Sequence, residues 1–300
     1  MGGARVPVIL DTDIGHDSDD TWALALLLKS PEVDLRLAVS ATHDTVYGAR
    51  LLAKLLTVAG RTEVAVGVGL KQDDVTGGQL PWVQDYDLAS YQGPVHEDGV
   101  GALIDAIIDS SERVTLVGIG PAPNLAAALE REPRLAERAR FVGMYGSVRR
   151  GYGGEPPINA EYNVAAFPEA CRKVFTAAWD MTITPLDTCG RVALTGEKYR
   201  RVRDAADPLT RAVIENYRMW CEMGDRDRAQ WETRSSTLFD TVAAYLTFSE
   251  ELLVMEELGL RVTDDGYTVA NEQAKRIRCA MEWKDLGAFE DLLVERLTNR

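Results

Sequence analysis

The sequence predicts an α/β fold with an open, mostly parallel sheet flanked by helices, and three observations carry that prediction. Largely apolar runs of strand length recur at 6–10, 33–39, 63–67, 114–119, 141–145 and 181–185. Helix-forming segments fall between most of them, an alternation that calls for parallel strands joined by right-handed crossovers. The loops after the strands hold an unusual share of the polar residues, and an open α/β sheet gathers such loops along one edge. The 300 residues show no internal repeat and no linker, so they read as a single domain, 1–300.

The first unit is the most informative. The run Val6-Pro7-Val8-Ile9-Leu10 is a buried strand, and the run from Trp22 to Leu28 is a strong helix former. Between them stand Asp11, Asp13, Asp17, Asp19 and Asp20. Two carboxylates about 4 Å apart repel by roughly 4 kcal/mol at an effective dielectric near 20. A converging set needs a cation, raised pKa values or solvent. The plain alternative is a solvated loop whose Asp19 and Asp20 favour the helix N-terminus. Five aspartates directly after a buried strand favour a metal site.

A second strand at 33–39 leads to the loop of His43 and Asp44, then a helix at 46–58 and a third strand at 63–67. Regularity lapses over 70–95, a length that marks a functional or mobile segment, and ends at His96. A helix at 101–110 and a strand at 114–119 lead to Gly120-Pro121-Ala122-Pro123-Asn124 and a helix at 125–131. After the strand at 141–145 come a glycine-rich stretch, 146–157, and the cluster Asn159-Ala160-Glu161-Tyr162-Asn163. A helix at 168–178 and a strand at 181–185 follow. The remainder is mainly helical, with Asp240 isolated on the apolar segment 235–248, and short strands are expected near 260–262 and 276–281.

A formal charge of −14 argues against nucleic acid as the main partner. The four scattered cysteines and the lack of an apolar leader indicate free thiols and a cytoplasmic protein. No apolar run approaches a membrane span. Carboxylates without closely spaced Cys or His point to a hard cation, Ca²⁺ or Mg²⁺, rather than zinc. Trp22, Trp179 and Trp220 read as core. Trp82 and Trp231, in less regular sequence, are candidates to line a ligand pocket.

These motifs together resemble the inosine-uridine-preferring nucleoside hydrolase family. Asp11-Thr12-Asp13, Gly15 and Asp19-Asp20 match its Asp-x-Asp-Pro-Gly-x-Asp-Asp signature, with Ile14 in place of proline and a loop two residues longer. That extension makes Asp17 a rival of Asp19. The loop at 120–126 resembles Gly-Pro-Leu-Thr-Asn-Leu-Ala, 160–163 resembles Ala-Glu-Phe-Asn, and Pro185-Leu186-Asp187 and Phe239-Asp240 fall on further recurring segments.

The resemblance implies a Rossmann-like fold and hydrolysis of the N-glycosidic bond of ribonucleosides, with a small-molecule substrate and a homodimer or homotetramer. It implies Ca²⁺ held by Asp13, Asp20, Asp240 and the backbone carbonyl of Pro123, and Asp13 as general base. Asp19, Asp44, Asn124, Glu161 and Asn163 would serve the substrate. Many relatives place an acid histidine before the last Asp ligand, where this chain has Phe239. Either His96 protonates the leaving base, or Phe239 stacks on it and favours purines. Two rival readings are a ribose-binding protein of the same fold without catalysis, and a metal-dependent phosphohydrolase suggested by Asp11-x-Asp13. Gly15 speaks against the phosphohydrolase.

Overall fold

A computed structural model describes residues 5–223 and 226–299. Its described strands are β1 (Val6–Thr12), β2 (Val33–Ser40), β3 (Ala65–Val68), β4 (Val95–His96), β5 (Val114–Gly118), β6 (Ala139–Met144), β7 (Met181–Thr184), β8 (Leu253–Val262), β9 (Thr268–Ala270) and β10 (Arg276–Trp283). They form one sheet in the order β4-β3-β2-β1-β5-β6-β7-β10-β8-β9. All pairs from β4 to β7, and β7 with β10, are parallel, while β10-β8 and β8-β9 are antiparallel. The mostly parallel sheet expected from the alternation is thus present.

The strands alternate between two apolar layers. Val8 and Leu10 belong to one core and Ile9 to the other, because successive side chains point to opposite faces. Helices cover both faces, which is why the central strands read as continuous apolar runs. Trp22 and Trp179 are core, the latter stacked on Phe141 at 5.0 Å between centroids.

Two parts of the sheet were not legible in advance. The two-residue β4 comes from the irregular stretch, with both residues exposed and no apolar signal. The strand expected near 260–262 extends back to Leu253, because its first half is only partly buried and lacks strict alternation.

The chain runs from β1 outward through β2 to β4, then returns to pair β5 against the other edge of β1. This reversal is a topological switch point, where the loops after neighbouring strands diverge and open a crevice. Asp11 of β1 pairs with Gly118 of β5 at that point, so the acidic loop and the loop 119–122 start side by side.

Candidate active site

The crevice at the switch point is a cavity of about 240 Å³. Asp13, Asp17, Asp19, Asp20, Glu161, Asn163 and Asp240 line it together with His16, Ile119, Met144, Tyr152, Tyr162 and Phe239.

Its floor is made by two helix N-termini. Helix α1 (Asp19–Lys29) begins with Asp19 and Asp20, and the helix Phe239–Leu246 has Asp240 in its first turn. The two helices pack against each other. One carboxylate oxygen from each of Asp19, Asp20 and Asp240 lies within 4.8 Å of the others, and all three residues are buried. Asp19 Oδ2 accepts from the Asp240 amide at 3.2 Å, and Asp20 Oδ1 accepts from the Thr12 hydroxyl. Asp13 is 6 % exposed and enters from the end of β1. A Cβ on Gly120 would come within 2.7 Å of the Asp13 backbone nitrogen and Oδ1, so only glycine lets the second loop pass this close. Gly15 turns the loop with φ +106°, and a Cβ there would strike Leu51 and Tyr47 at 2.6 Å.

Burial, then mutual repulsion, holds the Asp13, Asp19, Asp20 and Asp240 carboxyls well above the usual range. Among the described residues none of the four makes a salt bridge. An all-oxygen set of buried carboxylates without a cationic side chain fits a hard divalent cation. The resemblance assigned Asp13, Asp20 and Asp240 to the ion and Asp19 to the sugar. The structure draws Asp19 into the tightest group, because it precedes Asp20 in the same helical turn. Asp17, its rival, is half-buried on the wall, its Oδ1 accepting from the Ser18 amide at 2.5 Å.

Glu161 and Asn163 meet the cavity as expected. Glu161 caps a short helical turn, Oε1 accepting from the Asn163 amide at 2.7 Å and Oε2 from Gly146 at 2.9 Å. Burial raises its carboxyl to about 7 against those backbone bonds. Asn163 spends its side-chain amide on the carbonyls of Ile119 and Met144, at 3.1 and 3.0 Å.

Four assigned residues are not on the cavity wall. Asn124 is fully buried, donating to Asp11 Oδ2 at 2.8 Å and to the Ser40 carbonyl at 3.1 Å, and accepting from the Leu70 amide at 2.8 Å. It braces the switch point, and burial against that bond leaves Asp11 raised to about 7. Asp44 caps helix α2 (Thr45–Val58), accepting from Val46 and Tyr47 at 3.0 Å. His96 is exposed on β4, three strands from β1, and the structure does not bring it to the cavity. Pro123 opens the helix Pro123–Arg131, is half-buried and is not among the lining residues.

The histidine at the cavity is His16. Its Nε2 is buried with no hydrogen-bond partner among the described residues, and its ring lies 3.5 Å from that of His43, centroid to centroid. Burial, with His43 adding to it, lowers its pKa to about 4. His43 is held with φ +53°, its Nδ1 3.0 Å from Asp73 Oδ2 and its Nε2 3.1 Å from the Tyr162 hydroxyl. The rim is aromatic: Tyr152 meets Phe239 edge to face at 5.9 Å, and its hydroxyl accepts from the Tyr162 amide at 3.1 Å. Sequence reasoning gave no role to His16 or Tyr152. His16 lay inside the acidic motif and was the available signal, whereas Tyr152 reaches the site only through the fold of a glycine-rich loop. Trp82 and Trp231 line a different groove, and Trp220 supports the acidic loop by donating to the His16 carbonyl at 3.1 Å.

A switch-point crevice with a carboxylate floor and an aromatic rim is where an open α/β protein binds a ligand. The family model of the inosine-uridine preferring nucleoside hydrolases matches residues 8–290, and the chain belongs to that family, whose members are ribonucleoside N-glycosyl hydrolases. Similar sequences include the pyrimidine-specific ribonucleoside hydrolase RihA of Enterobacter sp. (strain 638), 28 % identical with 97 % of each chain covered. RihA of Escherichia coli O7:K1 is 27 % identical over 97 % of this chain and 98 % of its own. Among solved structures, a plant nucleoside hydrolase superposes with a TM-score of 0.83 at 21 % identity, covering 99 % of this chain and 100 % of its own. A purine-preferring ribonucleoside hydrolase from Gardnerella vaginalis gives 0.79 at 20 % identity, covering 97 % and 98 %.

Proposed function

We propose that the chain hydrolyses the N-glycosidic bond of ribonucleosides in a Ca²⁺-dependent manner, releasing ribose and the free base. The observation that carries this reading is the buried convergence of Asp13, Asp19, Asp20 and Asp240 beneath an aromatic rim. Asp13, Asp20 and Asp240 would hold the ion, with Asp19 completing the floor; the Pro123 carbonyl that the resemblance adds lies outside the lining. When bound, Ca²⁺ supplies charge compensation, a lowered water pKa and a grip on vicinal hydroxyls.

The residues account for the rest. Cleavage develops positive charge on the sugar, and a carboxylate-rich floor stabilises that charge more than it does neutral ribose. Asp13 accepts the proton of the attacking water. Glu161 and Asn163, fixed by backbone bonds, orient the ribose hydroxyls. Asn124 and Asp44 act behind the cavity, one through Asp11 and Ser40, the other by capping α2. At the leaving base, Phe239 and Tyr152 offer faces and edges for stacking. His16, with its orphaned Nε2, takes the polar role that the resemblance offered to His96.

Stacking on Phe239 favours purines, whose larger face gains more contact. A pyrimidine preference is the second reading, and the RihA relatives, named pyrimidine-specific, support it. Ribose release from inosine, adenosine, uridine and cytidine, with and without excess chelator, tests both. Release in Ca²⁺ and loss in chelator are expected. No release from any nucleoside would leave a ribose-binding protein, and release of phosphate from phosphorylated substrates alone would favour the phosphohydrolase.

We propose a single domain, since all described strands share one sheet, that assembles as a homodimer or homotetramer. The four cysteines are free and buried, which supports a reducing, cytoplasmic setting. Among the described residues no helix is long and apolar enough to cross a membrane.

A further inference from the structure

A second concavity, of about 530 Å³, shares no lining residue with the catalytic cavity. It lies between α2, the helix Leu80–Val83, the helix Pro208–Glu222 and the helix Gln230–Thr233. Lys54, Arg203, Arg211 and Arg218 face it against a single carboxylate, Glu215, in a chain whose net charge is −14. Glu215 is engaged with the wall, its Oε2 accepting from Trp82 Nε1 at 3.1 Å.

The cations are not equally committed. Lys54 lies 4.3 Å from the Trp82 ring centroid and donates to the Trp82 carbonyl. Arg203 is tied to Asp204 at 2.7 and 2.9 Å. Arg211 has no ion pair or hydrogen bond from its side chain among the described residues. Arg218 has a buried Nε without a hydrogen-bond partner, and its nearest carboxylate, Glu222, is 3.8 Å away. Its guanidinium stands 5.8 Å from the ring centroid of Trp231, which is half-buried. Guanidinium groups without a close carboxylate partner match phosphate oxygens, and the half-buried indole of Trp231 lining the same groove matches a planar ring.

We propose that this groove binds a small planar aromatic anion of the nucleoside monophosphate type, its phosphate on Arg211 and Arg218 and its ring on Trp231. The volume suits a small molecule, and the acidity of the whole chain disfavours a nucleic-acid polymer as occupant. The site is independent of the hydrolase reading. It is also placed to be felt there, because the helix Gln230–Thr233 gives Trp231 to the groove and Gln230 to a recess shared with Asp17 and Phe239.

Calorimetric titration of the full chain with adenosine 5′-monophosphate, ribose 5-phosphate and inorganic phosphate tests this. The monophosphate is expected to bind at least tenfold more tightly than either base-free probe. The Arg211→Glu/Arg218→Glu double variant should weaken it at least tenfold, and Trp231→Leu should erase its advantage over ribose 5-phosphate. Asp240→Asn should leave its affinity unchanged. Wild-type turnover of nitrophenyl riboside by both groove variants would show that they fold. The proposal is overturned if the monophosphate does not bind, if charge reversal leaves its affinity intact, or if Asp240→Asn abolishes binding. It is equally overturned if charge reversal dissociates an oligomer while the monophosphate has no effect, which would give the groove to a second copy.

Discussion

The floor of the carboxylate-lined cavity and its rim are built differently. Asp13, Asp19, Asp20 and Asp240 are buried, and three of them stand in the first turns of two helices packed together. Tyr152 and Tyr162 are 48 % and 45 % exposed, on a three-residue 3-10 turn and a four-residue helical turn. A floor set into the core cannot shift without disturbing the sheet, so it suits the step that every substrate shares. A rim on surface segments can change shape at small cost, so it suits the choice of base. Substitutions in the floor should therefore change turnover for all substrates, and substitutions in the rim should change one substrate against another.

The largest effect is expected at Asp13. Asp13→Ala should lower kcat by about 10² to 10⁴, the range for loss of a general base. The factor should be similar for purine, pyrimidine and nitrophenyl ribosides. Steady-state kinetics across the three would break the comparison if the loss fell on one substrate only.

His16 stands between floor and rim. His16→Ala should reduce nucleoside hydrolysis by about 10- to 100-fold, the lower part of the range for a proton-transfer or polar contact, and should spare nitrophenyl riboside, whose leaving group needs no proton. His96→Ala should leave both unchanged, as its exposed place on β4 implies. A loss at His96 with none at His16 would restore the assignment drawn from the resemblance.

The smallest effect belongs to Phe239. Stacking contributes on the order of 1 kcal/mol beyond burial, so Phe239→Ala should weaken purine nucleoside hydrolysis several-fold more than nitrophenyl riboside hydrolysis. If uridine is the best substrate and the variant leaves it untouched, base choice lies elsewhere on the rim.

The same division governs what the sequence disclosed. The floor was legible because its residues are local: a strand, an acidic loop and a helix place Asp13, Asp19 and Asp20 within eight positions, and Asp240 stood out on an apolar helix. Glu161 and Asn163 were legible from the family resemblance. The rim was not, because Tyr152 meets Phe239 from 87 positions away by a path no periodicity records. Asn124 was placed in the right neighbourhood, but its partners are Asp11, Ser40 and Leu70, each fixed by strand order. His96 was misplaced for the same reason, since only the sheet order puts β4 at the edge.

The central claim is that the floor is a Ca²⁺ site, and thermal unfolding with and without the ion tests it most directly. Carboxyls whose folded pKa lies above the unfolded value bind protons more tightly when folded. The metal-free chain should therefore lose stability as pH rises from about 4 to about 7, the range set by Asp11 and Glu161, each raised to about 7. Ca²⁺ offsets carboxylate charge, and the raised Asp13, Asp19, Asp20 and Asp240 carboxyls carry more of it at the upper end. The account expects Ca²⁺ to raise Tm more at pH 7.5 than at pH 5, and Asp240→Asn to remove most of that gain. A Tm indifferent to Ca²⁺ at both pH values, with full ribose release in excess chelator, would contradict it.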